Sequence, residues 1–178
     1  TGRSPESIAR WLDLNLFKFD GPAQMLGTEP NSARRPWDAA EVRWLLAASW
    51  DYSQAAGNMA VPAVYDAIHK AGNCTLADRW YLPMTPRDMD LLERGQVPVF
   101  GIESKHQARD FDVLATSISY TVLFMNFCKF LTMSDIPLRW TDRAENAGDY
   151  PMVMVGGQAY CAPEFMSPVV DCVWLGEA

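Results

Sequence analysis

The stretch "RWLLAASWDYSQAAGN", residues 43–58, decides how the rest of the chain is read. An apolar run, "VRWLLAAS", reads as a strand and gives way at Asp51 to small residues. A helical pattern then runs from Asn58 to Ala71, with Ala60, Val64, Ala67 and Ile68 on one face and Pro62 in the first turn or so, where a missing N–H costs little. That is the first strand–loop–helix of a ligand-binding α/β domain. The loop carries no GxGxxG for a dinucleotide, no GxxxxGK for a triphosphate and no histidine.

The same rhythm continues outward. "CTLADRWYLP" (74–83) reads as a second strand, and "TPRDMDLLERGQ" (85–96) as a short helix capped by Thr85 with Pro86 as its first residue. "VPVFGIES" (97–104) reads as a short strand followed by a polar loop, and "DVLATSIS" (112–119) as a strand buried on both faces. "YTVLFMNFCKFLTMSDI" (120–136) is an apolar helix, "PMVMVGG" (151–157) another buried strand, "APEFMSPVV" (162–170) a helical or turn segment, and "DCVWLGE" (171–177) a last strand. This alternation predicts an α/β fold: a doubly wound, mostly parallel, five-stranded Rossmann-like (flavodoxin-like) sheet. Ahead of it, "SPESIARWLDLNLFKF" (4–19) reads as an amphipathic helix started by Ser4, with Glu6 and Ser7 nearby. "DGPAQMLGTEPNSARRPWDAAE" (20–41) reads as a linker lying over the domain. The expected division is an N-terminal helix and linker over 1–40 and the Rossmann-like domain over 41–178.

The chain has 178 residues and a formal net charge of −7, so no overall field favours nucleic acid or an anionic membrane. Its four cysteines, Cys74, Cys128, Cys161 and Cys172, form no CxxC and are expected to be buried free thiols in a reducing, cytoplasmic setting. No apolar run is long enough to span a bilayer. The missing initiator Met suggests a fragment or trimmed chain.

In open α/β sheets the ligand lies beyond the carboxyl ends of the strands. Three such ends stand out: Asp51, Tyr52, Ser53, Ala56 and Gly57 after the first; Ser117, Ser119, Tyr120 and Thr121 at "TSISYT"; and Gly156, Gly157 and Gln158 after "PMVMV". Taken singly, a Ser or Thr at a helix start is an N-cap and a Gly pair is a turn. Together they describe a deep slot of small residues with hydroxyl donors and little charge, suited to a bulky, planar or neutral group. Asp51 and Glu164 read as a loop cap and a helix-start carboxylate, with no nucleophile paired to either. Trp44, Trp174, Met152, Met154 and Met166 read as core. Tyr120 reads equally as a ligand-facing or a packed ring.

The Asp-x-Ser loop, the Ser-x-Ser-x-Thr strand end and the Gly-Gly strand end resemble the DxHxxG, SxT/SxL and GG positions of cobalamin-binding domains. More narrowly, "MLGTEPNS", "GIESKHQARDFDVLATSISY" and "IPLR…DYPMVMVGGQAYCAPEFMSPVVDCVWLGEA" resemble the N-terminal cobalamin-binding region of cobalamin-dependent radical SAM proteins, over roughly Met25 to Ala178. The resemblance implies a cobalamin-binding domain of a larger radical SAM enzyme, a methyltransferase. S-adenosylmethionine and a 4Fe–4S cluster would lie in a downstream radical SAM domain of the same parent chain, since the CxxxCxxC that holds the cluster is absent here. In methionine-synthase-like domains the loop histidine ligates cobalt from below. Ser53 occupies that place, and neither His69 nor His106 matches a ligand position, so base-off cobalamin without a histidine ligand and without a protein metal ligand is expected. The alternatives are a flavodoxin-like binding or regulatory module, and a scaffold without cofactor that mediates protein contacts.

Overall fold

The computed structural model describes residues 4–146, 148–157 and 163–176; Gln158 and Cys161 lie outside them. Five strands, β1 (Val42–Ala48), β2 (Thr75–Tyr81), β3 (Val113–Ser117), β4 (Met152–Gly156) and β5 (Cys172–Val173), form one all-parallel sheet in the order β2-β1-β3-β4-β5. The helices are α1 (Pro5–Asn15), α2 (Tyr52–Ala56), α3 (Ala60–Ala71), α4 (Pro86–Gly95), α5 (Val122–Met133), α6 (Trp140–Ala144) and α7 (Pro163–Met166). Strand order reverses direction between β1 and β3, so the crevice above their carboxyl ends is the topological switch point.

Near-continuous apolar strands need cover on both faces, and they receive it. On one face Leu46 and Ala77 pack with Tyr65 of α3, flanked by Trp44, Val61, Val64, Ile68 and Ala115. On the other, Leu45, Leu76, Leu114, Val153 and Val155 join Leu92 of α4 and Phe127 and Leu131 of α5 in the main core. Each such fully buried Leu or Phe contributes about 1.5–3 kcal/mol of transfer free energy. Ile8 and Leu12 of α1, with Phe19 and Met25 of the linker, belong to that same core. Ser4 caps α1 by accepting the Ser7 N–H, and Thr85 caps α4 by accepting the Asp88 N–H, each as the sequence predicts.

β2 is an edge strand, and three of its outward carbonyls are engaged. Arg35 Nη1 donates to Thr75 O at 2.8 Å, His69 Nε2 pairs with Ala77 O at 3.2 Å, and the Ile102 N–H donates to Arg79 O at 2.9 Å. An edge covered in this way cannot template another strand.

Several expectations are corrected. Val97–Ser104 is no sheet strand; Val99, Phe100 and Ile102 are buried in a loop whose only ladder contact among the described residues is a bridge between Phe100 and Gln107. The fully buried Asp78 carboxylate shapes that loop by accepting N–H bonds from Glu103 (3.0 Å) and Ser104 (2.8 Å) as well as Arg79 (2.7 Å). A Cβ on Gly101 would lie 2.1 Å from the same carboxylate. The inner face of α3 is carried by Tyr65 and His69, while Ala67 is exposed; the Tyr65 hydroxyl and His69 Nε2 find partners across the fold. Trp174 follows the two-residue β5 and is half exposed, as is Met152 at the start of β4; Cys74 is exposed, and Cys128 and Cys172 are half-buried. Met166 is core as expected. No helix among the described residues is long and apolar enough to cross a membrane.

Candidate functional site

β1, β3 and β4 are neighbours in the sheet, so the three strand ends singled out in the sequence share one rim. After β1, Asp51 caps α2: its Oδ1 accepts the Gln54 N–H at 2.9 Å and the Ser53 hydroxyl at 2.5 Å. The Ser53 hydroxyl is the main reason the Asp51 carboxyl sits below the usual carboxylate range; desolvation opposes it, and the Gln54 and Ser53 amides add to the lowering. The residue in the place of the resembling family's histidine is therefore turned to its own loop. Tyr52 packs edge-on against Tyr81 at the end of β2, 5.1 Å between centroids, and Gly57 ends α2 in an ordinary helical conformation.

After β3, Ser117 lines a narrow notch with Ala48, Trp50, Ala55, Asn58, Ala60 and Val61. This is smaller than the deep slot expected; Trp50 forms one wall, its ring centroid 6.3 Å from that of Tyr120. Thr121 stands at the N-cap of α5 with no side-chain capping bond, so the capping explanation for "TSISYT" does not hold for its hydroxyl. Tyr120 is exposed. After β4, Gly157 has φ +93°, and a Cβ there would lie 2.8 Å from Ser117 Oγ and 2.9 Å from Ile118 O. The Gly156 carbonyl accepts the Ile118 N–H at 2.8 Å, locking the β3 and β4 ends together.

Of the expected site residues only Ser117 lines the notch; the sequence reading missed Ala48, Trp50, Ala55, Asn58, Ala60 and Val61, and Asn126, whose Nδ2 donates to Ser49 O at 3.0 Å and ties α5 to the end of β1. A lone Asn in the apolar run "VLFMNFCKF" was its available signal. His69 and His106 both lie away from the rim: His69 faces β2, and His106 stacks on Trp37 at 3.6 Å. A larger cavity, ≈ 370 Å³, lies instead under the linker beside β2. Three of its four charged side chains are spent on the fold, Arg35 on the carbonyls of His69, Gly72 and Thr75, Asp78 on three amides and Glu103 on Arg79, while Arg34 also lines it. The rim over the switch point is the better candidate. Among the described residues no cluster of His, Cys, Asp or Glu is placed to hold a metal ion.

A family model described as "Radical SAM proteins, N-terminal" matches residues 60–178. The chain belongs to the radical SAM N-terminal family. Membership makes it part of a radical SAM protein and implies S-adenosylmethionine and an iron–sulfur cluster in the full protein. The match includes the β3 and β4 rims but begins after the Asp51–Gly57 loop. No curated protein and no solved structure matches the chain.

Proposed function

We propose that this radical SAM N-terminal domain holds a cobalamin over the β1/β3 switch point. Its nucleotide tail enters between the Asp51–Gly57 loop and the β3–α5 turn, and no histidine ligates the cobalt. The reading is carried by one observation: small and hydroxylic residues from three adjacent strand ends meet at the switch point of a β2-β1-β3-β4-β5 sheet, with both histidines elsewhere.

The donor chemistry there fits the group. Ser117 and Asn58 offer a hydroxyl and an amide to a neutral, hydrogen-bonding ligand, and no charged side chain lines the notch. Trp50 must rotate for a tail to enter, and its ring then becomes a wall of the slot. Bound cobalamin would supply the methyl carrier for a parent methyltransferase. This chain's own part is to orient the cofactor and exclude water.

The rim is also rich in exposed apolar side chains. Tyr120, Val122 and Met125 at the start of α5 are each more than 60% exposed, and Phe165 of α7 packs on Phe124 beside them. This supports the reading that the edge is covered by the radical SAM domain in the full protein.

The test is to mix the purified chain with hydroxocobalamin, desalt it and record the visible spectrum. A stoichiometric base-off spectrum is expected. A base-on spectrum refutes tail insertion, and no retained colour from folded protein refutes cobalamin binding by this chain.

A further inference from the structure

The linker crosses the edge of β2 without closing on it. A cavity of ≈ 370 Å³ is left between them, about a dozen water volumes and within the range of small-molecule sites. Its walls are the linker at 26–28 and 34–35, β2 at 76–78 and the loop at 103–104.

Those walls are fixed by the fold itself. Lys105 Nζ donates to the carbonyls of Met25 (2.9 Å), Leu26 (3.2 Å) and Ile102, joining linker to loop. Gly27, at φ +63°, lies so close that a Cβ there would be 2.3 Å from Ile102 O. Farther along the linker, the Ala33 N–H donates to the Tyr65 hydroxyl at 2.8 Å, and Arg35 holds the carbonyls of His69, Gly72 and Thr75. Arg34, pinned between these two anchors, keeps a left-handed backbone (φ +44°) that few non-glycine residues adopt.

The carboxylates around the cavity are already answered. Asp78 accepts three amides. Arg79 donates to Glu103 Oε1 through Nε (3.0 Å) and Nη2 (2.7 Å) and to Glu29 Oε2 at 3.0 Å, and the Tyr65 hydroxyl donates to Glu103 Oε2 at 2.9 Å. Arg34 is the exception: it makes no hydrogen bond or ion pair among the described residues. The Thr28 hydroxyl has no partner among them either, and Ser104 Oγ, which accepts the His106 N–H at 3.3 Å, keeps its own proton to donate. Leu76 and Ala77 supply an apolar side. A guanidinium fork with two hydroxyl donors beside an apolar wall suits one carboxylate on a small apolar body. A phosphomonoester would bring a second negative charge toward Asp78 and Glu103, with no further cation lining the cavity to meet it.

We propose that this cavity is a second ligand site of the domain, separate from the switch point, and that it takes a small organic monocarboxylate through Arg34. The site stands or falls independently of the cobalamin reading.

Benzoate is the probe, with benzamide as its neutral counterpart and inorganic phosphate as the more highly charged anion. Each is titrated into the isotope-labelled intact chain and followed by amide chemical shifts. Benzoate is expected to shift Gly27, Thr28, Ala77 and Ser104 saturably, and benzamide to bind about tenfold more weakly, the worth of one charge-assisted pair. Arg34→Gln should weaken benzoate by a similar factor, and Arg34→Lys, which keeps the charge without the fork, by less. Thr28→Phe should crowd the cavity and abolish the shifts. Thr28 and Arg34 are exposed, so the rest of each variant's spectrum should stay as in wild type. Benzamide binding as tightly as benzoate, or benzoate binding unmoved by Arg34→Gln, overturns the role of Arg34 and with it the proposal. Phosphate saturating the same amides at lower concentration than benzoate overturns the ligand class, and no saturable shift from benzoate overturns the site.

Discussion

Gly156 and Gly157 are adjacent and opposite in what they tolerate. A Cβ at Gly156 would meet only Trp174 Cβ at 3.6 Å, an ordinary contact. At Gly157 it would meet Ser117 Oγ at 2.8 Å on a backbone with φ +93°, which L side chains adopt at a cost of about 1–3 kcal/mol. Gly157→Ala is therefore expected to lower stability by about 2 kcal/mol or more and Gly156→Ala by under about 1, read from urea midpoints. His69 makes a second single-residue case. Burial is the main reason its pKa lies below the ordinary 6.5, with Arg35 and Arg79 adding to the shift and the Ala77 carbonyl opposing it. Its Nδ1 is buried without a partner, which suits a neutral ring. Because the folded pKa is depressed, the stabilising contribution is fully present above about 6.5 and is lost as pH falls through the lower folded value. Urea midpoints between pH 8 and pH 5 should fall on acidification, and less steeply in His69→Gln. An equal slope in the variant would remove His69 as the cause.

Among the elements, α4 was legible because everything that makes it is local: Thr85 accepts its own helix's N–H, Pro86 sits at the first position, and Leu92 faces inward. β1 was legible because a run buried on both faces, ended by Asp51, has few other readings. Val97–Ser104 was misread because four to eight apolar residues suit a strand or a buried loop equally. What decides between them is Asp78, whose bonds span 25 and 26 residues. Asp78→Ala would leave the Arg79, Glu103 and Ser104 amides unpaired in a dry place. The expected loss is about 3 kcal/mol or more, with fast amide exchange at Glu103 and Ser104. The Glu29–Arg79 contact was invisible for the same reason, its partners lying 50 residues apart. At the rim, the ends of β3 and β4 could be read from small residues, whereas Trp50 as a wall of the notch could not, since a tryptophan after a strand gives no hint of its rotamer.

At the scale of the molecule, the division at residue 40 cuts through one core. Ile8, Leu12, Phe19 and Met25 would be lost from it, along with Arg35 on the edge carbonyls of β2. A chain beginning at residue 41 is expected to self-associate in size-exclusion chromatography where the longer chain does not, because the apolar surface those four side chains cover is bared. A monomer of wild-type stability would show the first forty residues to be dispensable. The links that seat this segment also impose an order in time. Lys105 Nζ grips the carbonyls of Met25 and Leu26 from 80 and 79 residues away, and Asp88 accepts the Asp20 and Gly21 amides from 68 and 67. On a ribosome adding about 5–20 residues per second, the N-terminal segment thus emerges on the order of 4–16 s before its last anchor exists. During synthesis the amphipathic helix α1 waits with Ile8 and Leu12 bare, and a segment made before the sheet it packs on is among the last to settle.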